Sequence, residues 1–344
     1  MNKMKAALFY EIDEPLRIEE IDIPSIGPEE VLVKTKACGI CASDLHFIDG
    51  SISFGGQRPF VLGHEPAGVV EKVGERVTQW KPGDRVMPYR FWTCGECYYC
   101  LTGNEEECSS FKGMLGFNVN GGYAEYFKWP ASHMISLPDS VSFSEAGPLG
   151  CSGHSTYHAV TKRAKVRLGQ SVLVNGSGGL GLMALQFCKV SGAKVFMTDL
   201  DDRKLAMARE FGADGTFNPR IQNIPEEIMK LTDNIGVDAV FDIVGVPESM
   251  EIGLNCLRKI GTMVVMGVGN HLVPNATSSR MMVNELTIMG SRSSNRQELI
   301  ETLNLVASGK IRPIVTRSFK LEEINEALKL LKEGEIMGRA CIEY

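Results

Sequence analysis

From about Gln170 onward the sequence alternates short apolar runs with amphipathic stretches, and this alternation limits the fold more than any other feature. SVLVNGSG, AKVFMTD, VDAVFDIV and GTMVVMGV are rich in Val, Ile and Met and have the length of buried strands. LMALQFCKVSG and DRKLAMAREFG lie among them, each with helical spacing and a closing glycine, which helices favour just past their C-terminus. Strand–helix alternation of this kind predicts an α/β fold with a doubly wound parallel sheet, helices covering both faces.

The first turn of that region carries a nucleotide fingerprint. Gly176, Gly178 and Gly181 form G-x-G-x-x-G between the strand SVLV and the next helix, so Gly176, Gly178, Gly179, Leu180 and Gly181 are expected to cradle a pyrophosphate. The first glycine permits the tight turn, the second admits the phosphates to the backbone, and the third lets helix and strand pack closely. The helix N-terminus adds free N–H groups and a partial positive charge. Asp199 ends the following strand, where a carboxylate can accept hydrogen bonds from ribose hydroxyls. With Asp201 and Asp202 beside it a 2′-phosphate would meet negative charge, which favours NAD over NADP. The competing reading has Asp199 capping the helix from Asp202, with Arg203 receiving a phosphate.

The first third of the chain is different. VLVKTKACGI, GVVEKVGE and GDRVMPY are short strand-like runs set between Gly, Pro and Asp turns. Within it, CGECYYCLTGNEEEC places Cys94, Cys97, Cys100 and Cys108 as C-x2-C-x2-C-x7-C. Four thiolates converging on one centre describe a closed, structural zinc site. After TIMGS come a helix (QELIETLNLVASG), a short strand, a helix and a final strand, a tail too small to stand alone and expected to pack on the first domain. LTIMGS itself fits either an edge or an internal strand.

The 344 residues allow two domains, and 44% hydrophobic with 23% charged residues is ordinary for a globular protein with proper cores. A net charge of −6 without a basic block argues against nucleic acid, and no apolar stretch has the length to cross a bilayer. The N-terminal sequence turns acidic too early for a secretory signal, and ten cysteines clustered in C-x2-C form favour metal ligation in a reducing cytoplasm over disulfides.

ACGICASDLH at 37–46, GHEPAG at 63–68 and PLGCSGHS at 148–155, taken with the cysteine lobe and the fingerprint, resemble the zinc-dependent alcohol dehydrogenases of the medium-chain dehydrogenase/reductase superfamily. The resemblance runs from MKAALFYE to GRACIEY. It implies a GroES-like, β-rich catalytic domain over 1–153 and 292–344, carrying a structural zinc lobe at 94–108, and a Rossmann NAD-binding domain over 154–291. It further implies two zinc ions per chain, a small alcohol or carbonyl substrate, and a homodimer or homotetramer. Cys41, His64 and Cys151 match the catalytic zinc ligands, with Cys38 a competitor for Cys41. Glu65 matches a glutamate that can replace water on the metal, or else is a buried carboxylate without a role in turnover. Asp44 matches the acid that orients the zinc-bound histidine, and Ser43 and His46 match the proton relay. Arg339 resembles a late arginine that contacts the cofactor's phosphates.

One departure bears on substrate. Gly147 stands where polyol enzymes carry a glutamate, which shifts the expectation toward simpler or aromatic alcohols and leaves a polyol or amino-alcohol dehydrogenase as the alternative. Arg90, Phe91, Trp92 and Phe117 are candidate substrate-facing groups. Arg90 could recognise a substrate carboxylate or phosphate, or could be a solvated arginine on the edge of the lobe.

Overall fold

Six parallel strands form where the alternation predicts them. In the computed structural model, which describes residues 3–344, they are Ser171–Asn175, Lys194–Thr198, Gly215–Phe217, Val237–Asp242, Leu257–Val265 and Thr287–Gly290. Numbered in chain order they lie in the sheet as 3-2-1-4-5-6, the Rossmann order, with the switch point between the first and the fourth. Parallel neighbours need a crossover between them, and helices such as Gly179–Val190 and Asp202–Glu210 supply it. Both helices give way to glycines in the left-handed region, Gly192 at φ 80° and Gly212 at φ 91°. Leu173, Phe196, Val240, Met263, Ile228 and Leu254 fill one core of this unit, Ser155–Ser293. Thr287–Gly290, from the segment LTIMGS, is an edge strand.

The second unit comprises the described residues up to His154 together with Ser294–Tyr344. Its organising element is the long strand Glu30–Ile40, which pairs antiparallel with Pro66–Val73, Tyr126–Pro130 and Arg339–Glu343. Val31 and Val33 of this strand pack with Val70, Val86, Leu115, Phe127 and Trp129. The C-terminal strand is in register Ala340 to Ile40, so the tail joins the sheet built on Glu30–Ile40. The cysteine run lies between Phe91–Trp92 and Gly113–Met114, which pair antiparallel and close the base of the lobe. Among the described residues no helix is long and apolar enough to cross a membrane.

Candidate metal centres and dinucleotide turn

Strand pairing assembles the first centre. Cys41 follows directly on Glu30–Ile40, and His64 and Glu65 directly precede Pro66–Val73, in a register that sets Cys38 opposite Pro66. Cys151 arrives on a wide helical turn, Leu149–Gly153, after the helix Phe143–Pro148. One ligand atom from each of Cys41, His64, Glu65 and Cys151 lies within 4.8 Å of the others, and the two sulfurs are 3.9 Å apart. Cys38, the competitor, is fully buried and stands outside the cluster, its Sγ 3.7 Å from the Gly39 carbonyl.

Asp44 ties the centre together. Its Oδ2 accepts from the Cys41 backbone N–H at 3.0 Å and from the Tyr123 hydroxyl at 2.7 Å, and its Oδ1 faces His64 Nδ1 at 3.1 Å. The remaining ring nitrogen, His64 Nε2, is buried with no hydrogen-bond partner among the described residues. An orphaned imidazole nitrogen beside two thiols is costly in an empty protein and is satisfied by a metal. Two sulfurs and an imidazole suit zinc, and a carboxylate on the far ring nitrogen is the usual support of such a ligand. The residues present therefore fit the ion.

Charge in the cluster is tightly linked. Burial would lower the His64 imidazole, but the Asp44 carboxylate outweighs it and lifts the pKa to about 10. Burial raises the Glu65 carboxyl to about 7 against the opposing pull of Arg339. The hydrogen bond between the two thiols pushes Cys41 down and Cys151 up, and metal binding at such a pair releases protons.

Arg339, for which the resemblance implies a contact with the cofactor's phosphates, points Nη2 at both Glu65 oxygens, at 2.5 and 2.6 Å. The register of the C-terminal strand causes this, because Ala340 opposite Ile40 sets Arg339 beside Cys41. Two glycines make room for the pair. A Cβ on Gly39 would collide with Glu65 Oε2, and one on Gly147 would lie 2.8 Å from Gly39 N and 3.0 Å from Glu65 O. Position 147 thus has no space for the glutamate of the polyol enzymes.

Ser43 and His46 sit one turn apart on the helix Ala42–Ile48. Ser43 Oγ is 3.7 Å from Cys41 Sγ, whereas His46 is 31% exposed with Nδ1 3.9 Å from Asp49, and no hydrogen bond joins the two directly. Of the substrate-facing candidates, Phe117 stacks on the His64 ring at 4.4 Å and on Phe47 at 5.0 Å. Phe91, buried, packs against Tyr89, and Trp92, partly buried, against Trp129. Arg90 is not a solvated edge residue. It is 7% exposed and donates to the Gly150 carbonyl at 2.8 Å.

In the lobe, the sulfurs of Cys94, Cys97, Cys100 and Cys108 stand 3.5 to 3.9 Å apart in four pairs, and backbone N–H groups of Cys94, Cys97 and Ser110 point at them. Their ligand atoms all lie within 4.8 Å of one another, and four thiolates leave no open position. Arg296 Nε reaches both Glu105 oxygens at 3.0 Å, and the Thr93 N–H donates to His133 Nε2 at 3.2 Å. Burial, reinforced by Arg296, lowers the His133 pKa from 6.5 to about 4. Between those values the unfolded chain binds a proton that the folded chain does not, so stability falls as the pH drops. Urea unfolding from pH 7 to 4 should show a smaller loss of stability in His133→Asn than in the parent; equal slopes would contradict this.

The fingerprint turn has the three predicted geometries. Gly176 lies at φ 99°, Gly178 has nothing within 4 Å of a Cβ, and a Cβ on Gly181 would collide with the Gly176 carbonyl. Gly179 opens the helix Gly179–Val190, with Leu180 half-buried behind it. Asp199 Oδ2 accepts from the Ser177 N–H at 2.8 Å, and Oδ1 from the Asp201 N–H at 3.0 Å. The next helix is capped by Asp201, whose side chain accepts from the Arg203 N–H, so Asp199 is not its cap. The Arg203 guanidinium is spent on Asp201, Nη2 to Oδ2 at 2.8 Å.

Sequence reasoning missed Tyr123, Gly39 and the Glu65–Arg339 pair. Tyr123 stands 79 positions from Asp44, and no local spacing links them. Gly39, inside a strand-like run, was the one legible signal, since a glycine there marks a close approach.

Residues 27–139 match the family described as the alcohol dehydrogenase GroES-like domain, and residues 179–308 match the zinc-binding dehydrogenases. An alcohol dehydrogenase of Geobacillus stearothermophilus is 36% identical, the match covering 99% of each chain. An NAD-dependent alcohol dehydrogenase of Sulfurisphaera tokodaii is 36% identical over 98% of this chain and 99% of its own. The crystal structure of the alcohol dehydrogenase of Aeropyrum pernix superposes with a TM-score of 0.91 at 34% identity, covering 99% of this chain and all of the other. With likeness of this order along nearly its whole length, the chain belongs to the zinc-dependent alcohol dehydrogenases of the medium-chain dehydrogenase/reductase superfamily.

Proposed function

We propose that the protein is a zinc-dependent, NAD-linked oxidoreductase that interconverts a primary or secondary alcohol and its aldehyde or ketone. The observation that carries this reading is the buried Nε2 of His64, which makes no hydrogen bond among the described residues and lies in one cluster with the thiols of Cys41 and Cys151, Glu65 Oε1 standing 3.8 Å away. When bound, zinc supplies Lewis-acid polarisation of the substrate oxygen, and the nicotinamide supplies hydride transfer. Cys41, His64 and Cys151 would hold the first ion, and Cys94, Cys97, Cys100 and Cys108 the second.

The chain's own groups do the rest. Asp44 accepts the His64 Nδ1 proton and leaves Nε2 as the donor to the metal, and Tyr123 holds Asp44 in that pose. Ser43, beside Cys41, would receive the hydroxyl proton as it passes on its own, and partly exposed His46, not in direct contact with it, would release a proton to solvent. Glu65, kept neutralised by Arg339, is the spare carboxylate of the centre. Gly176, Gly178 and Gly181 admit the pyrophosphate to the helix N-terminus, and Asp199 receives the ribose hydroxyls. The protein is further read as a cytoplasmic homodimer or homotetramer whose copies pair along the edge strand Thr287–Gly290.

A panel of primary, secondary and aromatic alcohols, run with NAD and NADP in parallel on zinc-loaded protein, tests the reading. Turnover of simple alcohols, faster with NAD, is expected. Activity on sorbitol or threonine alone would select the polyol or amino-alcohol alternative, and silence on every substrate would overturn both.

A further inference from the structure

A cation is buried beside the thiolate centre. Arg90 lies just beyond the strand Arg85–Pro88, and its Nη1 donates to the Gly150 carbonyl at 2.8 Å and lies 3.3 Å from His154 Nε2. That carbonyl belongs to the peptide bond entering Cys151, so its orientation sets where the Cys151 side chain emerges. The turn that carries Cys151, Leu-Gly-Cys-Ser-Gly, has glycines at 150 and 153 and little intrinsic preference to hold one shape.

The hydrogen bonds run in one direction. Ser294 Oγ donates to the Asn295 carbonyl at 3.1 Å and therefore accepts from His154 Nδ1, 2.7 Å away. His154 Nε2 is then the acceptor, and Arg90 is the donor that fills it. His154 and Ser294 are fully buried, so the chain is shielded from competing water. It holds the chain on both sides of Cys151, through the backbone carbonyl of Gly150 and through the side chain of His154. The guanidinium also sits 4.8 Å from the Phe91 ring and 6.0 Å from the Phe117 ring, and Phe117 stacks on His64 at 4.4 Å.

We propose that Arg90 is a positioning residue for the catalytic metal, fixing the turn that presents Cys151 and bracing the ring of His64 through Phe117. This rests on reading Cys41, His64 and Cys151 as the zinc ligands. Removing a partner that orients a ligand weakens metal binding by roughly 10–100-fold, and an ammonium cannot reproduce the planar fork of a guanidinium.

Metal retention tests the proposal. Purified parent, Arg90→Met and Arg90→Lys are challenged with a pyridine dicarboxylate chelator, and zinc per chain is followed with time. A second sample with cobalt in the catalytic centre is read by visible absorption. Arg90→Met should lose one ion about 10–100-fold more readily than the parent and keep the other. Its cobalt bands should shift, and Arg90→Lys should fall between the two. The retained four-thiolate ion reports that the chain is folded, and should Arg90→Met not fold, Arg90→Lys carries the comparison. Parent-like retention with an unchanged cobalt spectrum would overturn the proposal. So would unchanged retention with a KM raised only for carboxylate-bearing substrates, which would make Arg90 a substrate-reading group. A parent that binds no ion at this centre would instead overturn the reading of the site.

Discussion

Replacing Cys151 with serine should lower alcohol oxidation by more than about 100-fold, because loss of an outer partner alone costs roughly 10–100-fold in metal affinity or activity. A hydroxyl keeps its proton near neutral pH and is a harder, weaker ligand than a thiolate, so the centre would keep one sulfur and one imidazole. Serine is nearly the same size as cysteine, so the turn Leu149–Gly153 should persist and the loss should be one of chemistry. The control is Cys38→Ala. Cys38 is buried near the centre but outside the ligand cluster, and its replacement should leave turnover within a few-fold of the parent. Steady-state kinetics on both variants decide the matter. Equal losses would show that the cysteines had been wrongly distinguished, and an active Cys151→Ser enzyme would show that Cys151 is no ligand.

Asp199→Ala should raise the KM for NAD by roughly 10–100-fold, the equivalent of one charge-assisted hydrogen bond of about 1.5–3 kcal/mol, and should abolish discrimination against NADP. Asp199 has a second task, however. It accepts from the Ser177 N–H in the fingerprint turn and from the Asp201 N–H, so the alanine loosens the loop as well. Asp199→Asn separates the two in part, since its amide oxygen can still accept one of the two backbone N–H bonds while the negative charge is gone. The asparagine variant should keep much of its NAD affinity and gain most in NADP. Unaltered KM values for both cofactors in Asp199→Ala would remove Asp199 from the cofactor site.

What the sequence made legible follows from the range of the interactions involved. The parallel sheet was readable because buried strands and crossover helices leave local periodicities, and the sheet order 3-2-1-4-5-6 agrees with that pattern. The fingerprint was readable because each glycine answers a local demand, a turn, an open approach or a close contact. The pairing of Arg339 with Glu65 was illegible for the opposite reason. The place of Arg339 beside Glu65 is set by the pairing of the last strand with Glu30–Ile40, a register between the two ends of the chain. Tyr123 and Arg90 are likewise defined by partners far off in sequence, and an arginine beside an exposed-looking cysteine run gives no hint of its own burial. The cap of the helix Asp202–Glu210 is Asp201, which removes the competing reading of Asp199 as its cap.

The most direct test of the central claim is the metal content of the purified protein and its His64→Ala variant. The parent should carry two zinc ions per chain. The variant should carry one, held by Cys94, Cys97, Cys100 and Cys108. A parent with a single zinc, or a variant that still holds two, would contradict the assignment of Cys41, His64 and Cys151 as a metal centre.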